Sequence, residues 1–166
     1  KAVHLDPSYD PAWVSLGQTL VSSNSKVSVR RIEFTAENCF RKACSLNPNN
    51  ASAWRGLALC MEDNTKVMPL CGNERLSKRK CLERAIALDS TDACLWSALG
   101  DVAEAEGDIT IEGEVFTVRQ CRQRAVQLQP DAALFWAGLA RCFSSLWDRV
   151  DINGTSYTQH DCLNKA

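Results

Sequence analysis

Four tryptophans, Trp13, Trp54, Trp96 and Trp136, stand 41, 42 and 40 residues apart, each in the same surroundings. Three residues on comes Leu16, Leu57, Leu99 or Leu139, followed at once by Gly17, Ala58, Gly100 or Ala140. A second block follows after 29 to 31 residues, marked by Ala43, Ala85, Ala125 and Ala166. The links to the next tryptophan read LNPNNASAW, LDSTDACLW and LQPDAALFW, and the chain opens on the tail of one more block, KAVHLDPSYDPAW. Self-similarity at a period of roughly 20–50 residues is the mark of a repeat architecture, in which no unit buries its apolar face alone.

The periodicity within each block is helical. Trp13, Leu16, Gly17 and Leu20 follow i, i+3, i+4, i+7 and share one face. Trp54, Leu57, Ala58 and Met61 repeat this, as do Trp96, Leu99, Gly100 and Ala103, then Trp136, Leu139, Ala140 and Phe143. The small fourth residue lets a neighbouring helix approach. The pattern predicts a helix A over about 10–22, 51–63, 92–106 and 132–147, and a helix B over about 36–46, 78–88, 118–128 and 159–166.

W-x-x-L-G/A, a second helix with Ala, and then L-x-P resembles the tetratricopeptide repeat, a helix-turn-helix unit of about 34 residues. The resemblance spans essentially the whole chain. It implies an all-α fold: an α-α superhelical solenoid of tetratricopeptide-like helix pairs, with short β-hairpin or loop insertions between helices A and B. Residues 1–166 then form a single array with units of about 10–50, 51–91, 92–131 and 132–166, and residues 1–9 are the tail of a preceding unit. Each unit is about seven residues longer than the family's, by the period of about 34, and the excess lies between the two helices.

The insertions end EFTAENC, RLSKRKC, VFTVRQC and SYTQHDC. Thr35, Ser77, Thr117 and Thr158 sit at the N-cap of helix B, where a hydroxyl bonds an otherwise unpaired amide for about 1 kcal/mol. The residue before the cap (Phe34, Leu76, Phe116 or Tyr157) and the fourth helical residue (Cys39, Cys81, Cys121 or Cys162) have the register of a hydrophobic staple. Gln120 completes a capping box with Thr117, and the other units lack Glu or Gln there. Upstream, ITI-EG-EVF and VDI-NG-TSY read as two-residue hairpins. VSV-RR-IEF keeps the alternation without the glycine and fits a hairpin or an extended loop. VMPLCGNERL carries Pro69 and reads as an irregular loop. Neighbouring hairpins have room to join edge to edge.

Composition narrows the function. The formal charge of −1 supplies no basic field for nucleic acid or membrane. No run of eighteen apolar residues predicts a membrane span, and no signal peptide is visible. The missing initiator Met is expected of a fragment of a longer chain. Nine cysteines without C-x-x-C, and two distant histidines, read as reduced, buried thiols rather than a metal site. That points to an intracellular, cytoplasmic protein. Gly-x-Ser-x-Gly, a phosphate loop and H-E-x-x-H are absent, so no enzyme, cofactor, metal or small-molecule substrate is expected.

The family resemblance implies a non-catalytic protein-interaction module or scaffold whose concave helix-A surface takes a peptide or helix of a protein partner. Carried over by position from the tryptophans, the facing residues are Val14, Gln18 and Val21; Arg55, Leu59 and Glu62; Ser97, Asp101 and Glu104; and Ala137, Arg141 and Ser144. Relatives that clamp a peptide carboxylate carry Lys and Asn where this chain has Val14 and Gln18, so that mode is not expected. Residues 89–114 hold eight acids and no Lys or Arg, beside the basic residues Lys66, Arg75, Lys78, Arg79, Lys80 and Arg84. Two readings fit this asymmetry: inter-repeat ion pairing, or an acidic groove for a basic ligand segment. An alternative function is a substrate-recruiting arm of a larger enzyme.

Overall fold

A computed structural model describes residues 2–23, 25–61, 68–69, 75–145 and 147–166, with backbone alone for His4, Met68, Pro69 and Arg75. The chain divides into two compact units, Lys1–Leu88 and Asp89–Ala166. In the N-terminal unit, one turn α1 (Ala2–Leu5) leads to α2 (Asp10–Ser23), the hairpin β1 (Val27–Val29) and β2 (Ile32–Phe34), and α3 (Ala36–Leu46). Then come α4 (Ala51–Leu59), β3 (Met68–Pro69), β4 (Arg75–Leu76) and α5 (Lys78–Leu88). The C-terminal unit repeats the order: α6 (Ala93–Glu106), β5 (Ile109–Ile111), β6 (Glu114–Phe116), α7 (Val118–Leu128), α8 (Ala133–Ala140), β7 (Val150–Ile152), β8 (Thr155–Tyr157) and α9 (Gln159–Lys165). Helix A and helix B of each pair pack on one another, α2 on α3, α4 on α5, α6 on α7 and α8 on α9.

The caps form where the hydroxyls stand. Thr35, Ser77, Thr117 and Thr158 accept from the amides of Asn38, Lys80, Gln120 and Asp161 at 3.2, 3.3, 3.3 and 3.3 Å. Gln120 returns the bond to the Thr117 amide at 2.9 Å. Asp161 does the same for Thr158 at 2.9 Å, a second capping box the sequence reading missed because it sought only Glu or Gln. The shorter Asp side chain still reaches the amide. Of the helices A, α4 and α6 are capped by Asn50 and Asp92, which accept from Ala53 and Cys94.

All four repeat tryptophans are buried. Each indole Nε1 donates to the carbonyl six residues upstream, on Pro7, Pro48, Ser90 or Pro130, at 2.6–2.9 Å. The ring thereby fixes the link before helix A as well as the helix itself. Phe34, Phe116 and Tyr157, the residues before three helix-B caps, tilt against Trp13, Trp96 and Trp136 with centroids 4.8, 5.1 and 4.9 Å apart. Leu76 takes that position in the second pair, where the Arg84 guanidinium lies over Trp54 at 4.8 Å instead.

A side chain from helix B locks one helix A to the next. Phe40 on α3 is almost wholly buried against Gly17 of α2 and Gly56 of α4. A Cβ at Gly17 would lie 2.9 Å from the ring, and one at Gly56 would overlap its edge. Arg122 on α7, at the same register, meets Gly100 of α6, where a Cβ would come within 2.9 Å of its Cγ.

The described strands form four separate two-stranded antiparallel ladders, so they do not join edge to edge. In the C-terminal unit the reason is visible: β7 leans on α7, where Gln123 Nε2 donates to the Asp151 carbonyl at 2.7 Å and Arg119 to that of Arg149 at 3.5 Å. The turns Glu112-Gly113 and Asn153-Gly154 have positive φ at both centres, as a two-residue hairpin needs. Arg30-Arg31 adopts the same turn at φ 50° and 69°, so cross-strand pairing overrides the cost of two left-handed arginines. Met68 and Pro69 pair with Leu76 and Arg75, a short ladder where an irregular loop was expected. Helix α8 ends at Ala140, not at 147. There Asp148 accepts from Arg119 at 2.8 Å and from the Ser144 amide at 3.5 Å, and Arg119 covers the Phe143 ring. These contacts favour a compact turn over more helix. Helix α4 likewise ends at Leu59, short of the expected 63: the Cys60 amide bonds back to Gly56 and Leu57 in a closing turn and Met61 follows outside the helix, while 62 and 63 lie outside the described residues.

Three expectations follow. Gly56→Ala should cost about 1–3 kcal/mol by overpacking, and adding Phe40→Leu should restore part of it; urea denaturation of the single and double variants checks the coupling. The four staple-position cysteines and Cys44 are buried, and burial raises the thiols of Cys39, Cys121 and Cys162 to about 11 and that of Cys44 to about 12. At pH 8 iodoacetamide should label exposed Cys94 first and spare these until the chain unfolds, read by mass spectrometry. The folded state holds those protons more tightly than the unfolded one. Stability they support should therefore be full below about pH 9 and fall as pH rises towards 11–12.

Candidate partner-binding face

The residues one, five and eight positions after the tryptophan lie on helix A in α2 and α6, whereas α4 carries only Arg55 and Leu59 of its set and α8 only Ala137, with Arg141 and Ser144 beyond its end. In the N-terminal unit Val14 is buried and Gln18 exposed on α2, while Arg55 and Leu59 are exposed on α4. Val14 flanks buried Trp13 closely enough to join the core, which leaves it little surface for a partner. Val21 and Leu59 present apolar side chains to solvent at 47% and 63% exposure. Glu62 lies outside the described residues. In the C-terminal unit Ser97 is half-buried, and Asp101, Glu104 and Arg141 are exposed; Ala137 is half-buried and Ser144 exposed.

The structure brings Asp101, Glu104 and Arg141 together through a residue that sequence reasoning did not select. Arg122 is only 2% exposed, and its guanidinium faces both carboxylates. Nη2 donates to Asp101 Oδ1 at 3.2 Å and to Glu104 Oε2; Nη1 donates to the Gly138 carbonyl at 3.1 Å and to Cys142 Sγ at 3.4 Å. Arg141 reaches Asp101 from outside at 3.5 Å. Burial works against the charge on Arg122, yet the bonds to Cys142 and Glu104 leave its pKa above the ordinary guanidinium value. Two acids and two arginines thus balance, although the sequence around Asp101 and Glu104 is acidic throughout. A signal was available: Arg122 occupies the register of buried Phe40 and Leu82, and a charge at such a position requires buried partners.

Among the described residues no group of three His, Cys, Asp or Glu side chains is placed to hold a metal ion. No described helix is long and apolar enough to cross a membrane.

No family model matches the chain, and no curated protein matches its sequence. Among solved structures it is similar to one titled "Crystal structure of MamA", with a TM-score of 0.58 at 17% identity, over 84% of this chain and 70% of that one. The fold is tetratricopeptide-like. Within that fold the hairpins are short insertions between helix A and helix B.

Because Arg122 is buried, its replacements should separate packing from charge. Arg122→Ala should cost about 3–5 kcal/mol, the penalty for breaking a buried pair, here with a void added. Arg122→Phe, which copies Phe40 over its two glycines, should cost much less. Chemical denaturation of the two variants measures the difference, and equal losses would show that the wedge volume is not what matters.

Proposed function

We propose that the chain is a non-catalytic protein-interaction module, one tetratricopeptide array of units lengthened to about 41 residues by the tryptophan spacing, which binds a peptide or helix of a protein partner. The observation that carries this reading is the helix-A stripe. It leaves Val21 and Leu59 uncovered in the N-terminal unit, and a carboxylate pair exposed in the C-terminal unit, although helix pairs otherwise bury their apolar faces. The proposed face comprises Gln18, Arg55 and Leu59 in the N-terminal unit, with Val14 beneath them and Glu62 as the expected continuation, and Ser97, Asp101, Glu104 and Arg141 in the C-terminal unit.

The partner segment is basic. Arg141 and Asp101 are both more than half exposed and 3.5 Å apart, a surface pair of little intrinsic worth. A partner Lys or Arg replaces Arg141 at Asp101, while Arg122 stays in the core and keeps both carboxylates oriented. Apolar partner side chains cover Val21 and Leu59, where burial contributes about 25 cal/mol per Å². The described cysteines are free thiols, which suits a reducing, intracellular and cytoplasmic setting.

A peptide-display selection tests this. Enriched peptides should carry Lys or Arg beside apolar residues and bind more weakly as salt rises. Asp101→Asn should weaken peptides bound through their basic residue, and Leu59→Asp those bound through apolar ones, each about tenfold, near 1.4 kcal/mol, and Arg141→Ala should tighten the basic ones. Neutral isosteres are the informative changes, since charge reversal would strip Arg122 of its partners. Peptides that bind all these folded variants equally well would rule out this face.

A further inference from the structure

The corners of the hairpin turns carry charges that the fold does not use. Arg30 opens the first turn, Glu112 the third and Asn153 the fourth, each at φ 50°. A left-handed corner favours Gly or Asn, and Asn153 meets that preference. Arg30, Arg31 and Glu112 stand at such corners against it. Cross-strand pairing explains how these corners are tolerated, not why they are charged. Among the described residues no ion pair forms to Arg30, Arg31, Glu112 or Glu114, and all four are exposed. Each tip also exposes a β-branched side chain just past its charges, Ile32 at 60% and Val115 at 59%. This exposure belongs to the corner itself. In the C-terminal unit β7 rests on α7, the helix B before it, and the Asn153-Gly154 tip still stands in solvent. A preceding helix pair does not cover the tip.

We propose that the two charged tips bind one another between copies of the chain, Arg30 and Arg31 of one copy against Glu112 and Glu114 of the next, with Ile32 on Val115. Both halves of the contact are present in one sequence: the same turn position carries Arg in the first hairpin and Glu in the third, on turns of the same form. Lys26 lies 3.9 Å from Glu33 and offsets the one acid of the first hairpin. An acidic peptide or a nucleic acid would satisfy the arginines and leave the glutamates without a role; a second copy accounts for both. Because unlike tips meet, the contact is head-to-tail, and a row of copies keeps a basic tip free at one end and an acidic tip at the other. Exposed ion pairs are individually weak and screened by salt, so the association is reversible and depends on concentration. It uses neither the helix-A face nor the peptide proposed for it.

Sedimentation velocity of the chain at rising concentration tests this. Oligomers should grow at about 0.01 M ionic strength, where charges reach about 30 Å, and shrink at about 0.15 M, where they reach about 8 Å. Amide shifts that depend on protein concentration should centre on Arg31 and Glu114. Arg30→Glu with Arg31→Glu, and Glu112→Arg with Glu114→Arg, should each be monomeric alone. Mixed in equal amounts the two should associate again, since one then carries two acidic tips and the other two basic ones. Arg30→Asn with Arg31→Gly relaxes the turn while removing both charges, and should weaken association about tenfold or more. A chain that stays monomeric at millimolar concentration and low salt overturns the proposal. So do reversed variants that associate as well as the unaltered chain, a pair shown folded by circular dichroism that stays apart on mixing, or concentration-dependent shifts confined to other residues.

Discussion

The packing of successive helix pairs turns on one wedge. Within each unit a side chain from the first helix B enters the space between its own helix A and the next, and both receiving helices make room with a residue that lacks a Cβ. Phe40 between Gly17 and Gly56 is the apolar form. Helix pairs joined in this way share one core, because no pair alone covers the wedge. The small residues therefore set the distance between helices, and that distance decides which side chains beside the core stay on the surface.

Arg122 is the polar form of the same wedge. A guanidinium reaches further than a phenyl ring, so it fills the space beside Gly100 and still projects charge to Asp101 and Glu104. Burial of this charge is tolerated because each side has a partner: carboxylates on α6, and a carbonyl of α8 with the Cys142 thiol just beyond it. Two carboxylates that would otherwise repel are held side by side on the exposed face. The interior thus determines the electrostatics of the surface, through one residue that contacts solvent hardly at all.

The hairpins serve the helix pairs rather than one another. In three of the four, the second strand delivers an aromatic residue to the repeat tryptophan and leads into a threonine at the cap of helix B. In the last hairpin the first strand is bonded to α7, which occupies backbone groups that an inter-hairpin sheet would have used. Trp147, the one tryptophan outside the repeat, has no such place and is 91% exposed.

Most of the architecture was legible from spacing. The helices, their Ser/Thr caps, the buried tryptophans and cysteines and the two glycine hairpins are local decisions repeated at a period, and a period can be read along one dimension. The Arg-Arg hairpin was left open because its turn dipeptide disfavours it, and only the pairing of Val27 with Phe34 and Val29 with Ile32 overrides that preference. The early end of α8 was missed because it depends on Arg119, a residue one helix away. The facing residues could be numbered from the tryptophans, but their charge could not be judged. Sequence by itself determined which elements form and which side of each is apolar, since these follow from backbone geometry and residue type. Tertiary structure alone decided that Arg122 sits beneath Asp101 and Glu104, because residues eighteen and twenty-one apart meet only when α7 packs on α6.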